Sequence, residues 1–445
     1  MPGSIQQIIR YWKRNGFAET LLAIRERLWE KRRFRYDYLP PAQEELQKQR
    51  DVNFERRIRF SIIVPAYETA EVFLQDLILS VVEQSYTDWE LIIADASESR
   101  RVEYVVKSFQ EQYEGIRYEK LEKNEGISGN TNRALELAEG DYIALLDHDD
   151  LLTPDALFLI REEIDRSDEP VLVYTDEDKT DTHLEHYFCP HRKKDFDREL
   201  FYTNNYVCHF SVFRGDVIKE LKLDPAYDGS QDHELLLRLA EYARKEYPGK
   251  EWQKKIRHVP KILYHWRCHE ESTAADPAAK NYAYEAGRRA VQASLAREGI
   301  SAKVLEHKHL GFYRLEYEGG VFSQRPDIAM VAGPVREKGR TVGGAMKADG
   351  SLLYGDLPEG FSGPMHIAAL QQSVEAADLR NAAVREELIP LYKELTGYEY
   401  PFPGDEDEKR LKGKSLKLCK ALREKGYTIL YDPYFDCAKE KADEA

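Results

Sequence analysis

Between residues 58 and 150 short strand-like runs alternate with helix-period runs, and this alternation restricts the fold more than any other feature of the chain. Phe60 to Pro65, Trp89 to Ala94, Ile116 to Leu121 and Tyr142 to Leu146 have strand length and composition. Between the first two, Phe73, Leu74, Leu77, Ile78 and Val81 share one helical face, and further helices are expected near 100–113 and 129–139. Such alternation predicts a parallel, doubly wound sheet. Ligands of these sheets sit beyond the carboxyl ends of the strands. Here those ends carry Tyr67 and Glu68, then Asp95, then Asp147-His148-Asp149-Asp150. The polar residues therefore gather on one edge.

Three carboxylates within four residues repel one another in a folded chain. A hard divalent cation relieves that repulsion and also bridges diphosphates, so Asp147, Asp149 and the edge around them read as a Mg²⁺ or Mn²⁺ site. The alternative is a solvated turn in which Asp150 caps the following helix. Asp95 can accept from a pyrimidine N3–H or a ribose hydroxyl, or can cap its own loop. Gly126 and Gly129 allow close backbone approach before a helix, where an anion is favoured, and Arg133 could pair with a phosphate. Asp232 stands at the start of an apolar helix, where the dipole favours its ionised form. It reads as a general base or as an N-terminal cap. His265, in Tyr264-His-Trp-Arg267, reads as a metal ligand, a diphosphate contact or a structural histidine.

Together these stretches resemble family 2 glycosyltransferases of the GT-A fold, in the bacterial branch that builds O-antigens, rhamnans and related surface polysaccharides. The resemblance rests on Ser61-Ile-Ile-Val-Pro-Ala-Tyr67, Trp89-Glu-Leu-Ile-Ile-Ala-Asp95, Gly126-Ile-Ser-Gly-Asn-Thr-Asn-Arg133, Gly140 to Asp150, Tyr174-Thr-Asp-Glu-Asp178, Tyr227-Asp-Gly-Ser-Gln-Asp232 and His258 to Arg267. These stretches run in order over about 58–275. The resemblance implies a mixed, mostly parallel α/β sheet with helices on both faces. It implies an inverting, metal-dependent transferase that uses a UDP- or dTDP-sugar and a glycan or lipid-linked acceptor. By position, Pro65, Tyr67 and Glu68 would lie beside the nucleoside and Asp95 would hold the base. Asp147 and His148 would contact the donor, Asp149 would be the principal metal ligand, Asp147 and His265 its companions, and Asp232 the catalytic base. Glu68 stands where many relatives have Asn, and Gln231 where many have Glu. A non-catalytic binding subunit and a nucleotidyltransferase are the competing classes. The latter normally has a basic Gly-rich loop where this chain has Ala66-Tyr-Glu-Thr-Ala70.

Beyond residue 170 the alternation lapses. Val171–Tyr174, Tyr206–Phe213 and Ile262–Trp266 read as strands of an antiparallel extension, Gln231–Arg244 as a helix, and about 276–298 as a closing helix. The GT-A domain is thus expected over 58–305. Residues 320–445 look like a degenerate, non-catalytic half-copy of an α/β transferase domain, with Ser415 in the place of Asp232 and Asp405-Glu-Asp-Glu408 a solvated charge run. Residues 1–57 read as two basic amphipathic helices broken at Asn15-Gly16, then a linker with Pro40-Pro41. Ile5, Ile8, Ile9, Trp12, Phe17, Leu21, Ile24 and Leu28 keep helical spacing. Their faces either pack on the protein or contact an anionic membrane surface. The net charge of −15 argues against nucleic acid as a partner. No membrane-spanning run or signal peptide is evident, and five scattered cysteines fit reduced thiols. The expected setting is the cytoplasm, either free or peripheral at the inner face of the cell membrane.

Overall fold

The computed structural model describes residues 5–269, 281–404 and 406–437, with side chains from residue 8 onward. Two compact units emerge: Tyr36–Phe196 with Asn205–Ser294, and Met1–Arg35 with Asp197–Asn204 and Leu295–Ala445. Among the described residues no helix is long and apolar enough to cross a membrane, and no disulfide is formed.

The first unit is built on a nine-stranded mixed sheet. Its strands are β1 (Phe60–Ala66), β2 (Trp89–Asp95), β3 (Ile116–Lys120), β4 (Tyr142–Leu145), β5 (Leu151–Leu152), β6 (Leu172–Asp181), β7 (Tyr187–His191), β8 (Ser211–Arg214) and β9 (Ile256–Cys268). Their order is β3-β2-β1-β4-β8-β6-β9-β5, with β7 on β6. The first four run parallel, as the alternation predicts. Parallel pairing aligns their carboxyl ends, with Ala66 opposite Asp95 and Asp95 opposite Lys120. β1 and β2 are buried almost throughout, which explains their near-continuous apolar runs. Leu74, Leu77, Ile78 and Val81 of the helix Glu71–Val82 pack in one core with Ile62, Val64, Leu91, Ile93 and Ala144. Each such side chain stabilises the fold by about 1.5–3 kcal/mol on full burial.

The extension is mixed, not antiparallel throughout. β8 runs against β4 and β6, but β6 and β9 pair in parallel, with register shifts near Asp176. β9 begins six residues before the expected Ile262, because its first half pairs with Leu172–Thr175. The helix at Gln231–Glu246 forms as expected. Of the closing helix, Asn281–Arg297 is described, while 276–280 and the last of the resemblance near 270–275 lie outside the described residues. The stretch 37–58, read as a linker, contains the short helix Gln43–Arg50.

The second unit holds a four-stranded sheet in the order Gln372–Ser373, Thr428–Tyr431, Ile328–Ala332, Ala382–Val384. Leu411, Leu418, Cys419 and Leu422 of the helix Glu408–Glu424 pack in its core, and Ser415 is buried on that helix. Of the acidic run, Asp405 lies outside the described residues, and Asp407 caps the helix through the Arg410 amide. A buried bidentate pair, Arg325 to Glu199 at 2.6 and 2.7 Å, ties Asp197–Asn204 into this unit. That contact joins residues 126 positions apart, so spacing along the chain gave no sign of it. Helical structure over Ile5–Arg33 is interrupted at Gly16, whose φ of 83° only glycine adopts readily.

Candidate active site

The C-terminal edge of β1, β2 and β4 carries the acidic residues, and each is held differently. Asp95 is fully buried at the end of β2. It accepts from the Ser97 amide at 2.8 Å, the Tyr118 hydroxyl at 2.7 Å and the Lys120 ammonium at 3.2 Å. A base or ribose reaching Asp95 must therefore replace one of these donors, of which half-exposed Lys120 is the most easily displaced. Glu68 sits in a left-handed conformation (φ 47°) beyond β1. It accepts from the hydroxyl and amide of Ser99 at 2.6 and 2.8 Å, which lower its pKa. Tyr67 beside it is exposed and Pro65 half-buried, so this rim is open to a ligand.

Asp147, His148 and Asp149 are half-buried and Asp150 is buried. The Asp150 carboxylate accepts from the Tyr264 hydroxyl and, at 2.8 Å, from the Arg267 amide, so it is a structural anchor on β9. Burial, then Asp149 and Asp147, push its pKa well up. Asp149 lies 2.7 Å from His269 Nε2. Burial opposes its charge, but His269 and His148 outweigh burial and hold it below its usual range. The His148 Nδ1 is buried without a hydrogen-bond partner among the described residues.

Asp232, at the start of the helix Gln231–Glu246, belongs to the same field. Burial and then the Asp147 charge push its pKa up to about 6, while His209 pulls it down. His209, just before β8, is the organising residue that the sequence did not single out. Its Nε2 lies 3.5 Å from Asp147 and its Nδ1 3.3 Å from Glu177. Its ring stacks on Tyr264 and meets Trp266 edge-on. Burial works against its charge, yet Glu177, Asp147 and Asp150 raise its pKa to about 9. For buried Glu177, burial is likewise outweighed, by Lys193, His191 and His209, and its carboxyl stays well below the usual range.

The remaining expected residues fall elsewhere. His265 is not drawn to Asp147 or Asp149. Successive side chains of a strand point to opposite faces. Tyr264 and Trp266 face His209, so His265 takes the other face. There it meets Asp178 at 2.6 Å between the rings of Tyr38 and Tyr187. His269, just beyond β9, reaches Asp149 instead. The N-terminus of the helix Gly126–Leu137 already faces a carboxylate: Asp228 accepts from the Ser128 amide at 3.3 Å. A Cβ on Gly126 would lie 2.5 Å from that carboxylate. Arg133 is half-exposed and pairs with Glu136 at 3.0 Å and Glu125 at 3.8 Å on its own segment.

The donor chemistry at this edge fits a divalent cation. Asp147 and Asp149 offer carboxylate oxygens and His269 an imidazole nitrogen, and the charge of Asp147 strains both Asp150 and Asp232 toward protonation. These groups are not already converged. Among the described residues, the one trio of such side chains whose ligand atoms lie within 4.8 Å of one another is Asp181, Glu185 and His186 on the surface.

The description "Glycosyl transferase family 2" matches residues 61–222. The "Uncharacterized protein y4gI" of Sinorhizobium fredii is 40% identical over 242 residues, covering 53% of this chain and 25% of that protein. The "O-antigen biosynthesis protein RfbC" of Myxococcus xanthus is 30% identical over 279 residues, covering 62% and 21%. The chain thus spans a quarter or less of the length of these two relatives. Residues 1–349 of S. aureus TarS, crystallised with UDP, align at 18% identity with a TM-score of 0.40, over 54% of this chain and 65% of that one.

Proposed function

We propose that the first unit, in which residues 61–222 match the description of glycosyl transferase family 2, transfers a sugar, with inversion, from a nucleoside-diphosphate donor to a glycan or lipid-linked acceptor. The cell-surface polysaccharide setting follows the O-antigen relative. The cytoplasm, either free or peripheral at the inner face of the cell membrane, is the location this reading expects.

One observation carries the chemistry: Asp232 and Asp147 are close enough that the charge of Asp147 raises the Asp232 pKa, already pushed up by burial, to about 6. A carboxylate tuned to that value is mostly ionised at neutral pH, yet basic enough to take a proton from a hydroxyl. In the proposed step Asp232 accepts the acceptor hydroxyl proton as its oxygen bonds to the anomeric carbon. The bond from that carbon to the diphosphate breaks on the opposite face, and the electron pair leaves with the diphosphate. Asp147 and Asp149 would hold Mg²⁺ or Mn²⁺, with His269 beside them; when bound, that ion neutralises charge on the departing diphosphate. Protonated His209, between Asp147 and Glu177, fixes Asp147 toward the donor. Pro65, Tyr67 and Glu68 form the open rim for the nucleoside, a UDP or dTDP moiety by the family resemblance.

We read residues 320–445 as non-catalytic, because the sequence comparison sets Ser415 opposite Asp232 and Ser415 is buried on its helix. The test is donor binding and turnover together. A panel of UDP- and dTDP-sugars with Mn²⁺ should stabilise the chain against heat and bind one per chain by calorimetry. Asp149→Asn should abolish both the metal-dependent binding and the turnover. Two donor sites per chain, or full turnover in Asp149→Asn, would contradict the reading.

A further inference from the structure

The helical segments on either side of Gly16 leave large apolar side chains in water. Ile8, Ile9 and Trp12 of the first segment are 40%, 40% and 50% exposed. Phe17, Leu21, Ile24 and Leu28 of the second are 64%, 45%, 38% and 54% exposed. The latter four recur at i, i+4, i+7 and i+11, so they form a single stripe along one face. At 3.6 residues per turn, Arg25 and Arg32 border that stripe on one side and Lys31 on the other.

The acidic residues of the same helix fall on the opposite face. There Glu26 is buried and accepts from the amides of Ser362 and Gly363, the latter at 2.8 Å. Glu19 pairs with Lys308 at 2.9 Å. Trp29 meets Phe361 edge-on on this inner side. The helix is therefore fastened to its own unit by its acidic and mixed face, and it presents apolar and basic residues outward. Residues 1–36 carry nine basic and three acidic residues in a chain whose net charge is −15. A helix that simply completed the core would show the reverse orientation.

We infer that residues 8–33 dock this unit on an anionic lipid surface. The stripe enters the boundary between headgroups and acyl chains, and Arg25, Lys31 and Arg32 meet the anionic headgroups along its borders. Charge complementarity selects this occupant. A second copy of the helix, laid stripe to stripe, would bring the basic borders of one against those of the other. The inference is independent of the chemistry at Asp147–Asp150 and stands or falls by itself.

Flotation of the full chain with vesicles tests it. The wild type should float with phosphatidylcholine vesicles containing phosphatidylglycerol, and should release at high salt. Pure phosphatidylcholine should retain far less. The double variant Leu21→Glu/Leu28→Glu should lose anionic-vesicle binding by about tenfold or more. Arg25→Gln and Arg32→Gln should each lower it by about fivefold. All four positions are solvent-facing, so an unchanged thermal midpoint certifies the fold of each variant. Two results overturn the inference. One is a wild-type chain that stays unbound with anionic vesicles, or binds no better than Leu21→Glu/Leu28→Glu. The other is a wild-type dimer by light scattering that becomes a monomer in the double variant while neither protein binds vesicles, which would identify a second copy as the occupant.

Discussion

Replacing Asp232 by asparagine separates catalysis from stability in a way that depends on pH. In the folded chain burial, and then the Asp147 charge, raise the Asp232 pKa from 3.8 to about 6. A carboxyl whose folded pKa exceeds its unfolded one penalises folding whenever it must be ionised. The penalty is absent below the unfolded value, grows as pH rises from about 4 to 6, and is complete above that. At 1.36 kcal/mol per pKa unit, it reaches about 3 kcal/mol at neutral pH. Asp232→Asn removes the charge while keeping shape and size. The variant should therefore be more stable than the wild type at pH 7.5, by up to about 3 kcal/mol, and equal to it near pH 4. At roughly 2–4 °C per kcal/mol for a unit of this size, differential scanning calorimetry across that range resolves the difference. The same substitution removes the general base, so turnover should fall by about 10²- to 10⁴-fold. Donor binding should persist, because the asparagine side chain still fills the site beside Asp147. Wild-type kcat/KM should in turn fall with unit slope on an acid limb below pH 6, because a bound cation offsets the Asp147 charge. A stability difference that does not vary with pH would refute the raised Asp232 pKa, whose first cause is burial. Unimpaired turnover in Asp232→Asn would refute the base.

His209, with its pKa raised to about 9, should set the alkaline limb of the rate profile; His209→Gln should remove that limb. Because the His209 charge lowers the Asp232 pKa, the acid limb of His209→Gln should also move to higher pH, and an unmoved limb counts against the coupling. His269→Ala, which strips Asp149 of its 2.7 Å partner, should weaken Mn²⁺ binding by about 10- to 100-fold in a calorimetric titration; unchanged affinity would place the cation elsewhere. In the second unit, Arg325→Leu strips Glu199 of its bidentate partner and leaves Glu199 and Asp327 only the Arg198 guanidinium. It should destabilise that unit by about 3–5 kcal/mol, read as a lowered urea midpoint, and a negligible shift would mean the pair is dispensable.

The legible part of the site was the part written locally. β1, β2 and β4 could be read because buried strands are apolar runs, and the half-exposed edge strand β3 by its place in the alternation; the carboxyl ends of β2 and β4 placed Asp95 and Asp147–Asp150 on one edge. The Gly16 interruption could be read for the same reason, since a backbone at φ 83° needs glycine whatever surrounds it. The residues that escaped are those whose meaning depends on which distant strand they meet. His209 is an ordinary histidine in sequence. It becomes a cation only because the fold sets Glu177 and Asp147 around it and stacks it on Tyr264. Asp228 reads as a turn residue, yet it occupies the helix N-terminus at Gly126, one hundred positions from the Ser128 amide it accepts from, where a phosphate was expected.

The choice between His265 and His269 shows why spacing alone could not settle the metal companions. The first lies near the end of β9 and the second one residue past it, and a motif assigns the first. The pleat assigns it differently: with Tyr264 and Trp266 committed to His209, His265 must face Asp178, and Tyr36 donates to the other oxygen of that carboxylate at 2.6 Å. Asp178 is thus satisfied by two partners from outside the acidic edge, which removes His265 from the site and leaves β6 and β9 fastened together. The histidine able to turn toward Asp149 is the one past the end of β9, where the backbone no longer dictates a face. A metal-loaded chain in which His265→Ala loses stability but keeps its Mn²⁺ affinity, while His269→Ala does the reverse, is the pattern this division of labour requires.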